Sequence, residues 1–194
     1  ILDRPLDEEL RRTSEPTRLA MNCSGKHAGM LATCVVNGWP IDSYLDPTHP
    51  LQLAIKSEVE QMSGEKVAGV SVDGCGAPLF LFSLLGLARA IRNLTISTDP
   101  VHNDVAQACR DYPEMVSGPG RLATRMMQKI PGLFMKDGAE AVNVTSLSDG
   151  RTLAIKISDG NARAMPAITA AALAKFGIDA QEVPVNVLGA GLPV

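Results

Sequence analysis

The apolar and polar positions divide the chain into short amphipathic segments separated by glycine and proline. From 24 or 25 to about 37 the pattern is helical: Ala28, Leu31 and Val35 recur at the spacing of one helix face, and Gly38 with Pro40 forms a stop. Asp46-Pro47-Thr48-His49-Pro50 reads as a turn feeding a second helix, with Leu51, Ile55, Val59 and Met62 as its apolar stripe and Ser63-Gly64 as its end. The run 67–72 is expected to be a buried strand, followed by a tight loop, Asp73-Gly74-Cys75-Gly76-Ala77-Pro78.

Further along, a helix is expected over 81–93, and another from Asp99-Pro100 to about 111, where aspartate is the cap and proline the first helical residue. Ser117-Gly118-Pro119-Gly120 is a loop, and 121–130 a helix ended by Pro131-Gly132. The runs 141–147 and 151–157, joined through Ser148-Asp149-Gly150, predict a β-hairpin. Asp159-Gly160-Asn161 leads into an alanine-rich helix ending at Gly177. A short polar helix is expected over 7–12. The whole reads as one α/β or α+β domain over 1–194, with a lead-in at 1–21 and a covering tail at 180–194.

Composition narrows the class. At 194 residues, 45% hydrophobic and 20% charged, the chain is globular. With aromatics at 4%, its core must come from aliphatic residues and methionine. The net charge of -3 and the lack of a basic stripe argue against nucleic acid as partner, and the longest apolar run is too interrupted to span a membrane. The start at Ile1 reads as cut from something longer, without a secretory signal. Four cysteines admit disulfides, but their wide spacing favours free thiols; a Cys23–Cys75 pair stays open, while Cys34 and Cys109 read as small buried apolar residues.

The densest reactive cluster is Asn22-Cys23-Ser24-Gly25-Lys26-His27, placed where a helix begins. A thiol there faces free backbone N–H groups and the positive end of the helix dipole. Three readings fit: a cysteine nucleophile with His27 as base, a metal site using Cys23 and a second thiol, or a glycine-rich turn that caps a helix. Cys75, in a loop leaving a strand, supplies the second thiol for the metal reading, although two ligands alone do not define a zinc site.

Asn22-Cys23-Ser24-Gly25-Lys26-His27-Ala28-Gly29-Met30-Leu31 resembles the signature of the rhizobial-type L-asparaginases, the asparaginase II family. The stretches Gly38-Trp39-Pro40, 44–52, Val72-Asp73-Gly74-Cys75-Gly76, Gly118-Pro119-Gly120-Arg121, 136–140 and 155–160 agree in order. The resemblance implies hydrolysis of the side-chain amide of L-asparagine to aspartate and ammonia, in a cytoplasmic homodimer. It also implies a fold like the serine β-lactamases and glutaminases, with helices packed on a mainly antiparallel sheet. The family's zinc ligands fall on Cys23, Lys26 and Cys75, with zinc holding the substrate or the site instead of making the nucleophile. Asp73, His27 and Arg121 fall beside the substrate, and Lys136 matches the lysine that partners a catalytic serine. A ligating amine must first lose its proton, so such a site has to lower the pKa of Lys26.

One departure bears on activity. The family's Ser-x-x-Lys segment lies ahead of the Cys23 motif, and nothing in 1–21 matches it. Ser63-Gly64-Glu65-Lys66 has the spacing but sits at a helix end, which marks Ser63 as a turn residue. The chain by itself is therefore expected to be inactive, at most a binder of zinc or of a partner; thiol-dependent amidase chemistry at Cys23 is the third alternative.

Overall fold

The structure is a computed structural model that describes residues 8, 9, 12, 13, 15, 17–180, 188, 189, 192 and 193. Contacts gather the chain into two compact units, Ile1–Ser83 and Leu84–Val194.

In the first unit, helix α1 (Ser24–Asn37) ends at Gly38, whose φ of 67° turns the chain out of the helix and whose N–H returns to the Val35 carbonyl. Its buried face is His27, Met30 and Cys34, so the expected stripe of Ala28, Leu31 and Val35 is corrected: Val35 is 69% exposed. Both sets have helical spacing. The winning face is the one that meets Leu51, and a histidine counted as polar belongs to it.

Helix α2 (Pro50–Ser63) is capped by His49, whose Nδ1 accepts the Leu51 N–H at 3.1 Å. Its Nε2 then donates to the Pro40 carbonyl at 2.9 Å, so this imidazole pins the turn to the helix start. Leu51 is buried, with Ile55, Val59 and Met62 half-buried along the expected stripe. Met30, Cys34, Leu51 and Ala77 form the small core, flanked by Trp39, Tyr44, Leu45 and Ile55.

Strands β1 (Gly69–Val72) and β2 (Pro78–Leu81) pair antiparallel, with Val70 opposite Phe80 and Val72 opposite Pro78. The expectation of a buried strand fails here, because Val70 is 45% and Val72 66% exposed. The segment is one arm of a two-stranded ribbon, not a strand inside a larger sheet. The helix expected from 81 starts later, as α3 (Leu84–Thr95), because the residues before it are taken up by β2.

The second unit continues with α4 (Pro100–Asp111), capped by Asp99 through the Val101 N–H at 2.8 Å, then α5 (Pro113–Ser117) and α6 (Leu122–Lys129). Strands β3 (Phe134–Gly138), β4 (Val142–Ser146) and β5 (Thr152–Lys156) form an antiparallel sheet in the order β3-β4-β5. The β4–β5 hairpin is as expected, whereas β3 is an addition. Helix α3 packs on β4 and β5, helped by a hydroxyl–hydroxyl bond from Thr95 to Ser146 at 2.7 Å. A methionine- and leucine-rich core of Met126, Met127, Leu133, Met135, Leu147 and Leu173 joins α6, the sheet and α7 (Met165–Lys175). Half-buried Cys109 is less enclosed than expected, whereas Cys34 is fully buried.

Two residue pairs, β6 (Leu188–Gly189) and β7 (Leu192–Pro193), run antiparallel; the rest of the tail expected as a cover lies outside the described residues. Of the helix expected at 7–12, positions 8, 9 and 12 are helical and the remainder likewise lies outside them. The architecture is α+β, with helices and small antiparallel sheets.

Gly132, after α6, holds a φ of 76°, and a Cβ there would lie 3.1 Å from Ser148 Oγ and 3.2 Å from Ser148 Cβ. Left-handed strain and crowding act together, so Gly132→Ala should cost about 2 kcal/mol. Urea denaturation reads this directly; an unchanged midpoint would contradict the packing of this turn.

Candidate functional site

The first unit brings Cys23, Lys26, Asp73 and Cys75 together. Cys23 is the N-cap of α1 but makes no side-chain cap bond, so its sulfur is not spent on the helix N–H groups. The sulfur instead accepts from Asn22 Nδ2 at 3.7 Å. All four cysteines are free.

Cys75 is positioned by the turn between β1 and β2. Asp73 Oδ1 accepts the Cys75 N–H at 2.8 Å and the Ala77 N–H at 3.0 Å. Gly76, at φ 83°, lets the chain close back on Asp73. The second carboxylate oxygen, Oδ2, accepts from the Lys26 ammonium in a direct ion pair. One side chain therefore shapes the turn and fastens it to the first turn of α1.

The charges follow from this contact. Burial is the largest single influence on Lys26 and pulls its pKa down, but the Asp73 hydrogen bond and charge, with the two sulfurs, raise it overall. Burial is likewise the largest influence on Asp73 and pushes upward; the Lys26 hydrogen bond and the two backbone N–H groups outweigh it and leave the carboxyl low. Cys75 is raised, first by its hydrogen bond with Cys23 and then by burial. Asp73 thus contributes stability above the ordinary carboxylate range that is lost on acidification. Lys26 contributes below the ordinary lysine range and loses its contribution at high pH. Both are charged at neutral pH, and their partial exposure keeps the pair's net worth to about 1 kcal/mol or less.

His27 is buried beside this cluster, with Nδ1 and the Tyr44 hydroxyl 2.7 Å apart and the two rings edge-on. Its backbone N–H donates to the Cys23 carbonyl at 3.1 Å, but among the described residues no hydrogen bond joins the imidazole to the Cys23 thiol, so the side chains form no cysteine–histidine dyad. Tyr44 was not a sequence candidate, although it opens one of the stretches that carried the resemblance. A groove of about 560 Å³ opens beside Lys26, lined by Gly25, Gly29, Met30, Leu51 and Ile55 among others. A Cβ at Gly25 or Gly29 would meet nothing within 4 Å, so the α1 wall of the groove is low.

In the second unit Lys136 lies on β3, and its ammonium donates to the Asp137 carbonyl. The Asp137 carboxylate accepts from Ser117 Oγ at 2.9 Å and lies 3.6 Å from Arg121 and 3.9 Å from Lys136. Arg121 and Lys136 thus share one carboxylate, and Ser117 and Asp137 were missed because neither stands out in its own segment. Ser63 is fully buried, its hydroxyl directed at the Glu60 and Glu65 carbonyls, while Lys66 pairs with Glu60. That geometry gives it the structural role expected of a turn residue.

Among the described residues no group of three or more His, Cys, Asp and Glu side chains is placed to hold a metal. The set of interest is different in kind: two thiols and an amine that influence one another electrostatically, with Asp73 bound to the amine. Thiolate and nitrogen donors suit zinc, provided the amine gives up its proton. Among the described residues no helix is long and apolar enough to cross a membrane.

No curated protein matches the chain. The family model described as L-asparaginase II matches residues 3–189. That span includes both cysteine loops, the Lys26–Asp73 pair and the Asp137 cluster, and on this match the chain belongs to the L-asparaginase II family, amidohydrolases that act on asparagine.

Proposed function

We propose that this protein is an L-asparagine amidohydrolase of serine–lysine type with a zinc site beside its substrate, built on a serine β-lactamase-like fold and working as a cytoplasmic homodimer. The observation that carries the site is the convergence of Cys23, Lys26 and Cys75, with Asp73 bound to the amine. Cys23, Lys26 and Cys75 would hold zinc, which as a Lewis acid supplies a fixed positive charge for orienting the amino acid. Asp73 and His27 are assigned to the amino-acid backbone of the substrate, and Arg121 to its carboxylate.

Lys136 is assigned as base. It takes the proton of a serine hydroxyl as the oxygen attacks the side-chain amide carbon. The resulting oxyanion is stabilised by backbone donors, ammonia leaves, and water releases aspartate from the ester. The serine is the one that the family carries ahead of the Cys23 motif. A second reading, zinc binding without turnover by these 194 residues alone, is favoured by the locked state of Ser63. Ammonia release from L-asparagine separates the two: clear turnover by this chain alone rules out the second.

Three outcomes are expected. In a protein that also carries the family's serine segment, Lys136→Ala should lower kcat for asparagine by about a thousandfold; ordinary turnover would remove its assigned role. Purified protein should carry close to one zinc per chain by elemental analysis, and Cys75→Ser should lose most of it. Zinc affinity should rise between about pH 6 and about pH 8, because binding expels protons from Lys26 and the thiols, and the pKa values of Lys26 and Cys75 are raised in the metal-free state. Competition with a chromogenic chelator measures this, and a pH-independent constant would exclude Lys26 and the thiols as ligands.

A further inference from the structure

Lys136 and Asp137 are consecutive residues of β3, and consecutive strand residues point to opposite faces. The lysine nevertheless folds back: its ammonium donates to the Asp137 carbonyl and stands 3.9 Å from Asp137 Oδ1. The same Oδ1 accepts from Ser117 Oγ at 2.9 Å, while Oδ2 lies 3.6 Å from the Arg121 guanidinium. The two carboxylate oxygens are thus divided between the two cations. Ser117 is buried at the end of α5, where Thr124 of α6 donates to the Gly118 carbonyl at 2.6 Å and to the Pro113 carbonyl at 3.1 Å. The hydroxyl that aims the carboxylate is therefore fixed by two packed helices. Ion pairs as open as these add little stability, so what the arrangement fixes is direction.

We propose that Asp137 is a positioning residue that acts through Lys136, with Ser117 holding its carboxylate in place; this rests on the reading of Lys136 as base. In that step the lone pair of the neutral Lys136 amine takes the serine proton and becomes an N–H bond. The electrons of the serine O–H bond stay on the oxygen, which bonds to the amide carbon. An ammonium has then formed at Nζ, and Asp137 presents a fixed negative charge to it. The same charge, with the Asp137 carbonyl, keeps the lysine stem from swinging into solvent. The proton passes to the departing amide nitrogen, which leaves as ammonia and restores the amine. Asp137 itself exchanges no proton and touches no reacting atom.

The test measures turnover of L-asparagine by protein that carries the family's serine segment. Asp137→Asn keeps an acceptor for Ser117 and removes the charge; it should lower kcat about a hundredfold, with KM within about threefold because Arg121 keeps its own charge for the substrate. Ser117→Ala keeps the charge but frees the carboxylate, and should lower kcat about tenfold. In the Lys136→Ala background Asp137→Asn should cost less than about twofold, since its effect runs through the missing amine. The melting temperature of either single variant should fall by no more than about 4 °C. Full kcat in Asp137→Asn beside a disabled Lys136→Ala overturns the proposal and leaves the base reading standing. A hundredfold loss that persists without Lys136, or one that tracks a collapse in melting temperature, overturns it too. Ordinary turnover by Lys136→Ala removes the base reading and the proposal with it.

Discussion

Asp73 does three jobs with one carboxylate. Its Oδ1 closes the turn that carries Cys75, and its Oδ2 holds Lys26, which fastens that turn to the start of α1 next to Cys23. Without the negative charge, an ammonium would sit beside two thiols with nothing to balance it, and the turn would lose its link to the helix. The pair adds little net stability at its exposure, so its importance is geometric. It fixes where two segments distant in sequence meet, and the chemistry of the site follows from that meeting.

The same contact makes the site exchangeable. In the metal-free state Lys26 is held protonated by Asp73 and by the sulfurs. A cation that took the sulfurs and the amine would displace that proton and release Asp73 from its partner. The freed carboxylate could then face the ammonium group of an amino acid. In the proposed reading, metal loading and substrate binding are therefore linked through one side chain. The second unit repeats the device: Asp137 gathers Ser117, Arg121 and Lys136 at the end of β3, so two basic groups share one anion there as well.

The parts of the fold that were legible in sequence are the local ones. Gly38 and Gly64 as left-handed helix ends, Asp99 as a cap and Asp149-Gly150 as a hairpin turn are each decided within a few residues. What failed depends on distant partners. Two faces of α1 have the same apolar spacing, and only its packing against Leu51 selects Met30 and Cys34. Pro78 read as the end of a loop and Leu81 as the opening of a helix, while pairing with β1 makes 78–81 a strand. β3 was hidden by the polar Lys136-Asp137-Gly138 that ends it. The site residues were found through a family resemblance; spacing alone does not say that Cys23 and Cys75 meet, and the contacts of Tyr44 and Asp137 lie beyond any local pattern.

The arrangement also bears on whether either thiol serves as a nucleophile. A nucleophilic cysteine needs one thiolate and one free base within reach. Here Lys26 is engaged with Asp73, and His27 meets Tyr44 through Nδ1, while among the described residues its buried Nε2 has no partner and makes no hydrogen bond to the Cys23 thiol. The Cys75 thiol is raised, first by its contact with the Cys23 sulfur, which opposes the reactive form. In the proposed reading the two cysteines instead serve together as donors to one cation, a role that needs no neighbouring base.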